Sequence, residues 1–195
     1  MFTGIIETMA TVLQVQTNGT NKTFTLSCAL ATEFKVDQSV SHNGVCLTVE
    51  KVNQQEYQVT AIEETLVKTN LHTWKPNTAV NIERCLLPHS RLDGHFVQGH
   101  VDTVGTCEAV IVKDGSWEYT ISFPEKFAAL VIEKGSIALN GTSLTVFNVT
   151  NTTFTVAIIP YTYEHTTIQF LEVGTPVNIE FDMVGKYIQR FQQLK

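Results

Sequence analysis

Apolar and polar residues alternate in short runs along most of this chain. Thr11-Val12-Leu13-Gln14-Val15, Thr23-Phe24-Thr25-Leu26, Leu47-Thr48-Val49-Glu50-Lys51-Val52 and Tyr57-Gln58-Val59-Thr60-Ala61 are β-branched or alternating, the period-two signature of strands with one buried face. Turn-forming clusters separate them: Thr17-Asn18-Gly19-Thr20 and Asn53-Gln54-Gln55 in the first half, Lys113-Asp114-Gly115-Ser116 and Asn151-Thr152 in the second. Many short strands at this spacing predict an all-β protein made of barrels or sandwiches. Helical spacing occurs only in pieces. A short helical turn is expected after Phe34, with a counterpart over Pro124–Leu130, and a second helical segment around Thr65–Thr69, echoed at Thr162–Thr166, is expected to cross each barrel. From Val184 to Leu194 the apolar residues fall at 184, 187, 188, 191 and 194, one face of a helix. That face either covers its own barrel or packs on a partner subunit.

The same pattern is written twice. Ser39–Glu83 matches Ser136–Glu180 without a gap at a constant spacing of 97 positions, and 16 of the 45 pairs are identical. Asn43-Gly44 falls on Asn140-Gly141, Leu47-Thr48-Val49 on Leu144-Thr145-Val146, and Val80-Asn81-Ile82-Glu83 on Val177-Asn178-Ile179-Glu180. Upstream, Gly4 falls on Gly99 and Phe24 on Tyr119, a spacing of 95, so two residues are gained in the loop before Ser136. A period this long is outside the range of solenoid repeats and has the size of a small domain. The division read from it is a first barrel over residues 1–90, a second over 91–183 and a terminal helix over 184–195. A duplicated module of this kind suits two copies of one ligand, or one ligand with two similar halves.

Composition narrows the class. The 195 residues are 43 % apolar and 16 % charged, with a net charge of −6, an ordinary globular balance. No Lys/Arg cluster exceeds two residues, which argues against a nucleic-acid surface. Cys28, Cys46, Cys85 and Cys107 show no CxxC spacing and do not repeat with the module; they read as reduced thiols of a cytoplasmic protein. Met1–Glu7 lacks a basic stretch, so no secretory signal is expected, and no apolar run approaches the ~18 residues of a membrane span.

Candidate chemistry lies at matched positions. Asn43-Gly44-Val45-Cys46 stands opposite Asn140-Gly141-Thr142-Ser143, so each repeat sets a nucleophile-type side chain after an Asn-Gly turn. Such a turn offers backbone donors where a flat ligand can approach closely; the plainer reading is a hairpin with a small inward residue. His89, His95 and His100 lack the spacing and companions of a metal site. His100, at the position that repeats Ile5, reads better as a ligand-facing or acid–base group. No P-loop or dinucleotide fingerprint is present, so nothing announces a nucleotide or dinucleotide cofactor.

These residues resemble a known family. Met1-Phe2-Thr3-Gly4-Ile5-Ile6-Glu7, Ser41-His42-Asn43-Gly44-Val45-Cys46-Leu47-Thr48-Val49, Gly94-His95-Phe96-Val97-Gln98-Gly99-His100-Val101-Asp102, Asn140-Gly141-Thr142-Ser143-Leu144-Thr145-Val146 and Ile159-Pro160-Tyr161-Thr162 together resemble the riboflavin synthase family, over essentially the full length. The resemblance implies two tandem six-stranded Greek-key barrels, a C-terminal helix and a homotrimer assembled partly through those helices. It implies dismutation of two molecules of 6,7-dimethyl-8-ribityllumazine by four-carbon transfer, giving riboflavin and a ribitylamino-pyrimidinedione, without cofactor or metal. One substrate would sit in each type of barrel, with the reaction where barrels of two subunits face each other.

The same resemblance implies the site. Cys46, Ser143, Thr145, His100 and Thr3 would be the polar groups near the reacting rings, with Ser39 nearby. The rings would be cradled by Gly4, Ile5 and Ile6, by Val45, Cys46 and Leu47, and by Thr60, Ala61, Ile62, Glu63, Glu64 and Thr65. Gly99, His100 and Val101, then Ser143, Leu144 and Thr145, and finally Ala157, Ile158, Ile159, Pro160, Tyr161 and Thr162 would complete them, while Lys134 matches a family lysine that reaches a neighbouring subunit's ligand. Two positions depart from the family: Asn140 replaces a frequent Asp, and Asp93-Gly94-His95 replaces Gly-Gly-His. The competing reading is a non-catalytic lumazine- or flavin-binding protein, whose kind loses side chains in the Cys-Leu-Thr and Ser-Leu-Thr-Val motifs that this chain keeps.

Overall fold

A computed structural model describes residues 1–194; Lys195, part of the expected terminal segment, lies outside the described residues. Each repeat closes into a six-stranded antiparallel barrel. The first comprises β1 (Thr8–Asn18), β2 (Asn21–Ser27), β3 (Ser39–His42), β4 (Val45–Asn53), β5 (Glu56–Ala61) and β6 (Ala79–Arg84). The second comprises β7 (Thr103–Lys113), β8 (Ser116–Ser122), β9 (Ser136–Leu139), β10 (Thr142–Phe147), β11 (Thr153–Ile158) and β12 (Pro176–Phe181). Strand order is β1-β2-β5-β4-β3-β6 in one, with β6 returning to pair β1, and the equivalent order in the other. Closure leaves no open sheet edge.

The alternation read from the sequence is what fills the barrels. Val12, Phe24, Leu26, Val49, Tyr57 and Val59 point into the first core, and Tyr119, Ile121, Val146, Phe154 and Val156 into the second. β6 and β12 break the alternation for a physical reason. Val80, Asn81, Ile82 and Glu83 are all buried, as are Val177 to Glu180. Their apolar members face the barrel core, and their polar members face protein on the other side.

The helical pieces sit as plugs. Helix α1 (Glu63–Lys68) and the 3-10 turn Asn70–Thr73 bury Leu66 and Leu71 in the first core; α2 (Pro160–His165), opened by a proline that needs no backbone donor, and Thr167–Phe170 repeat the arrangement. The turn expected after Phe34 lies before it, as a 3-10 helix over Ala29–Glu33 with Phe34 at its C-terminal cap. Cys28, Ala31 and Phe34 are buried, a spacing of three that suits 3-10 geometry and draws Phe34 inward as the end of the turn. The two residues gained in the second repeat fall here as well: the matching turn, Glu125–Leu130, is one residue longer, and Phe123-Pro124 leads into it where Cys28 stands alone. Helix α3 (Met183–Gln193) follows β12, capped by Asp182, whose Oδ1 accepts from the Val184 N–H at 2.9 Å. Lys186 ties it to Asp102 at 2.6 Å.

The barrels join across a pseudo-two-fold seam. At both Asn-Gly turns Asn43 and Asn140, and the glycines after them, have positive φ, the conformation a two-residue hairpin requires. Gly44 and Gly141 meet back to back: a Cβ on either would lie 2.7 Å from the other's backbone nitrogen. Asn81 Nδ2 donates to Asn140 O and Asn178 Nδ2 to Asn43 O, each at 2.9 Å. Asn178 Oδ1 accepts from Asn70 N, and Asn81 Oδ1 from Thr167 N, each at 2.7 Å. Buried amides satisfied this fully specify one orientation of the two barrels.

Candidate active site

Two carboxylates organise the site from behind. Glu83 is the last residue but one of β6 and Glu180 that of β12, and they are 4 % and 2 % exposed. Glu83 accepts from Thr3 N at 2.6 Å, Thr3 Oγ1 at 2.7 Å and Gly4 N at 2.9 Å. Glu180 accepts from Gln98 N at 2.6 Å, Gly99 N at 2.9 Å and His100 N at 2.8 Å. Burial pushes both carboxyls up, and the donated bonds pull the other way. Each carboxylate thereby pins a short bent segment, Thr3–Ile5 or Gln98–His100.

The pinned segments cross over. Gly4, which precedes the first barrel, accepts at its carbonyl from Ser143 N of the second barrel at 2.8 Å. Gly99, which precedes the second barrel, accepts from Cys46 N of the first at 2.8 Å. Both glycines have positive φ, and a Cβ on Gly4 or Gly99 would lie 2.6 Å from the Cβ of Ser143 or Cys46. Only glycine fits. Phe2 and Val97 lock the segments to each other through paired backbone hydrogen bonds of 2.7 and 3.0 Å, and Phe2 is fully buried with Val97 and Ala138.

In the second barrel most of the expected residues converge. Lys134, Ser143, Leu144, Thr145, Ala157, Ile159 and Thr162 line one cavity of about 450 Å³, with Phe147 as an added wall. Lys134 Nζ lies over the Phe147 ring, 5.3 Å from its centre. Ser143 Oγ is 2.7 Å from His95 Nδ1. His95 is 8 % exposed, and burial lowers its pKa against a smaller pull from Asp182, so the imidazole is neutral at neutral pH. Ile158 is in the core, and Pro160 and Tyr161 lie exposed on α2, where Tyr161 stacks on His165 at 4.2 Å.

The first barrel repeats the plan with other chemistry. Cys46 shares the outer face of β4 with Thr48 and Glu50, while Val45, Leu47 and Ala61 turn into the core and offer a ligand backbone only. Burial raises the Cys46 thiol, opposed by a hydrogen bond from Ser39, so it is a thiol at neutral pH. Thr60 Oγ1 donates to Glu50 Oε2 at 2.9 Å. Ile62 is exposed at the N-cap of α1, whose first turn carries Glu63 and Glu64, also exposed; Thr65 is half-buried. His100 and Ile5 are exposed beside the pinned backbone, Ile6 is half-buried, and Val101 packs against the first core. Thr3 is buried on Glu83.

The Asn-Gly turns are not the approach for a flat ligand: each glycine is covered by the other barrel's glycine. Asn140 Oδ1 accepts from Asn178 N at 2.9 Å, so its amide serves the seam, and Asp93 is exposed. Sequence reasoning did not place His95, Phe2, Glu83, Glu180 or Phe147 in the site. Glu83 and Glu180 were visible as the last member of a repeated Val-Asn-Ile-Glu, and His95 as part of Asp93-Gly94-His95. Nothing local marks Phe147 or Phe2.

Two like barrels, each presenting a polar residue beside a pinned glycine backbone, with an outer-face pocket at Ser143 in the second, have the build of a small-ligand protein. The Lumazine binding domain family matches at residues 3–85 and again at 98–182. The chain is 36 % identical over 192 residues to riboflavin synthase of Actinobacillus pleuropneumoniae, covering 98 % of this chain and 89 % of that one. It is 38 % identical over 199 residues to riboflavin synthase of Mycobacterium tuberculosis (strain CDC 1551 / Oshkosh), covering 99 % and 98 %. A crystal structure of LumP complexed with riboflavin superposes with a TM-score of 0.87 at 18 % identity, over 93 % of this chain and 99 % of that chain. This chain belongs to the lumazine-binding domain family, and the fold is the tandem six-stranded barrel with a C-terminal helix.

Proposed function

We propose that this protein is an enzyme of the riboflavin synthase type, converting two molecules of 6,7-dimethyl-8-ribityllumazine into riboflavin and a ribitylamino-pyrimidinedione. The carrying observation is the second-barrel cavity, in which six residues expected to cradle the ring meet with Lys134 beside them, while the pinned-glycine backbone plan recurs at Cys46. Full-length similarity to riboflavin synthases supports the same reading. The four carbons that one lumazine loses are those the other gains, so the exchange balances without oxidant or cofactor.

In this reading one ring lies on each outer-face pocket, and the rate comes mainly from holding two rings face to face, an orientation effect worth up to roughly 7–11 kcal/mol. The neutral His95–Ser143 pair is suited to move a proton at the second-barrel ring, whose 7-methyl group is acidic because its charge spreads into the ring. Cys46 enters as a hydrogen-bonding thiol. Lys134 and Thr145 orient the second-barrel ring, and His100 faces the first-barrel ring beside Cys46. The exposed apolar stripe of α3 supports a homotrimer, and four free cysteines support a cytoplasmic, reducing location.

The test is incubation of the purified protein with 6,7-dimethyl-8-ribityllumazine alone, following riboflavin absorbance. Multiple turnovers, two substrates consumed per riboflavin, are expected. Tight binding without product would replace the enzyme by a lumazine carrier.

A further inference from the structure

We propose that charge divides the labour between the two barrels: the second holds its lumazine as the 7-methyl anion, with Lys134 as the stabilising cation, while the first, with Glu50, favours the neutral partner. This rests on the proposed function and assigns each ring its state. Lys134 is the sole charged residue lining the Ser143 cavity. Its Nζ rests over the Phe147 ring, 5.3 Å from the centre, a contact that holds an ammonium without neutralising it. Among the described residues no carboxylate pairs with it.

The first repeat carries the opposite charge at the same places. Asp37, Glu50, Glu63 and Glu64 stand where the second repeat has Lys134, Phe147, Pro160 and Tyr161, at the constant spacing of 97. Of those acids only Glu64 has a cation in contact among the described residues, Lys68 at 2.6 Å. Glu50 shares the outer face of β4 with Cys46 and accepts from Thr60 Oγ1 at 2.9 Å; the second repeat has Ala157 in place of Thr60. The other titratable groups around the Ser143 cavity have partners of their own. His95 is held on Ser143 at 2.7 Å, Glu133 accepts from Val149 N at 3.3 Å, and Glu118, the strand partner of Ala157, pairs with Lys113 at 3.4 Å. On α2, Tyr161 stacks on His165, and Glu164 is exposed. When the 7-methyl C–H bond breaks, its proton passes to the His95–Ser143 pair and its electron pair spreads into the ring. A fixed opposite charge at close range moves an ionisation by roughly 1–3 pH units towards the charged form. A carboxylate at the matched place works against the same anion.

The test is a rapid-mixing absorbance titration of 6,7-dimethyl-8-ribityllumazine with the full chain in excess, across a pH series and before turnover. The anion has its own band because its ring is conjugated differently, and the free ligand is titrated alongside. One bound lumazine per chain is expected to ionise about one pH unit below the free ligand, and the other no earlier than the free ligand. Lys134→Gln, and Phe147→Glu, which copies the first barrel, should each remove that early ionisation, while Lys134→Arg keeps it. In both charge-removing variants kcat should fall about tenfold with KM within about threefold, the split of an interaction made with the anion alone. Glu50→Gln should leave the early ionisation in place. Absence of an early-ionising lumazine in the wild type, its survival in both Lys134→Gln and Phe147→Glu, or its loss in Glu50→Gln would overturn the proposal. Lys134 is exposed, so Lys134→Gln decides if Phe147→Glu does not fold. Early ionisation without riboflavin formation would support the charge assignment and count against the proposed function; riboflavin formation without it would overturn the charge assignment alone.

Discussion

Single residues carry the differences between two otherwise matched barrels. The first core buries His42 against Tyr57, Nε2 to Oη 3.0 Å, where the second packs Leu139 and Phe154. Burial lowers His42 from 6.5 to about 4. Below pH 6.5 the unfolded chain takes up a proton that the folded barrel refuses until about pH 4, so this contribution is complete above that window and is lost as pH falls through it. At ~1.4 kcal/mol per unit the total is about 3 kcal/mol. Urea unfolding at pH 7 and pH 4.5 should show most of that loss in the wild type and little of it in His42→Leu/Tyr57→Phe, which copies the second barrel. An unchanged pH dependence in the double variant would remove His42 as its source. The same contrast governs chemistry. Cys46 is raised by burial and Ser143 is its counterpart, so Cys46→Ser should keep riboflavin formation within about threefold, whereas Ser143→Ala and His95→Ala should each cost roughly ten- to a hundredfold in kcat. Collapse of Cys46→Ser would restore a thiolate nucleophile.

Among the elements, the pinned segments decide whether a site exists at all. Glu83 offers two oxygens to three donors. Glu83→Gln would replace one acceptor by an NH2 aimed at those donors, leaving buried N–H and O–H groups unpaired at about 1–3 kcal/mol each. The expected result is a melting temperature lower by several degrees and at least a tenfold fall in kcat/KM, with the intact Cys46 segment still binding lumazine. Wild-type kcat/KM in this variant would mean that Thr3–Ile5 holds without its anchor. The strands were legible because alternation is a local property, fixed where one face meets a core. The crossing of Gly4 to Ser143 and of Gly99 to Cys46 was not, because it depends on contacts between repeats that no local pattern records. For the same reason the Asn-Gly turns read as ligand contacts although they are the hinge of the seam. The 3-10 turn before Phe34 was displaced in the reading because Ala29–Glu33 has no side-chain cap to mark its start. Thr145, Ala157, Ile159 and Thr162 share one cavity, a grouping that only the resemblance suggested, whereas Phe147 needed the register of β10.

For the whole molecule the proposed function sets a demand: two rings, one from each kind of barrel, must meet. Helix α3 leaves Val184, Tyr187, Ile188, Phe191 and Leu194 between 54 % and 65 % exposed, an apolar stripe on a helix anchored at its start by Asp182 and Lys186. An exposed apolar stripe of this size marks an interaction face. If copies associate through it as the proposed function expects, the Cys46 face of one subunit would meet the Ser143 pocket of the next, and the oligomer would be part of the catalyst rather than a container for it. Ile188→Asp/Phe191→Asp places two charges on that stripe without touching either pocket. Sedimentation should report a monomer, and lumazine titration should still find binding close to wild type. Riboflavin formation per chain should fall at least a hundredfold, because a lost facing partner removes the orientation effect that supplies most of the rate. A monomer that keeps the wild-type rate would place both rings within one chain, and a variant that stays oligomeric would move the interface away from α3.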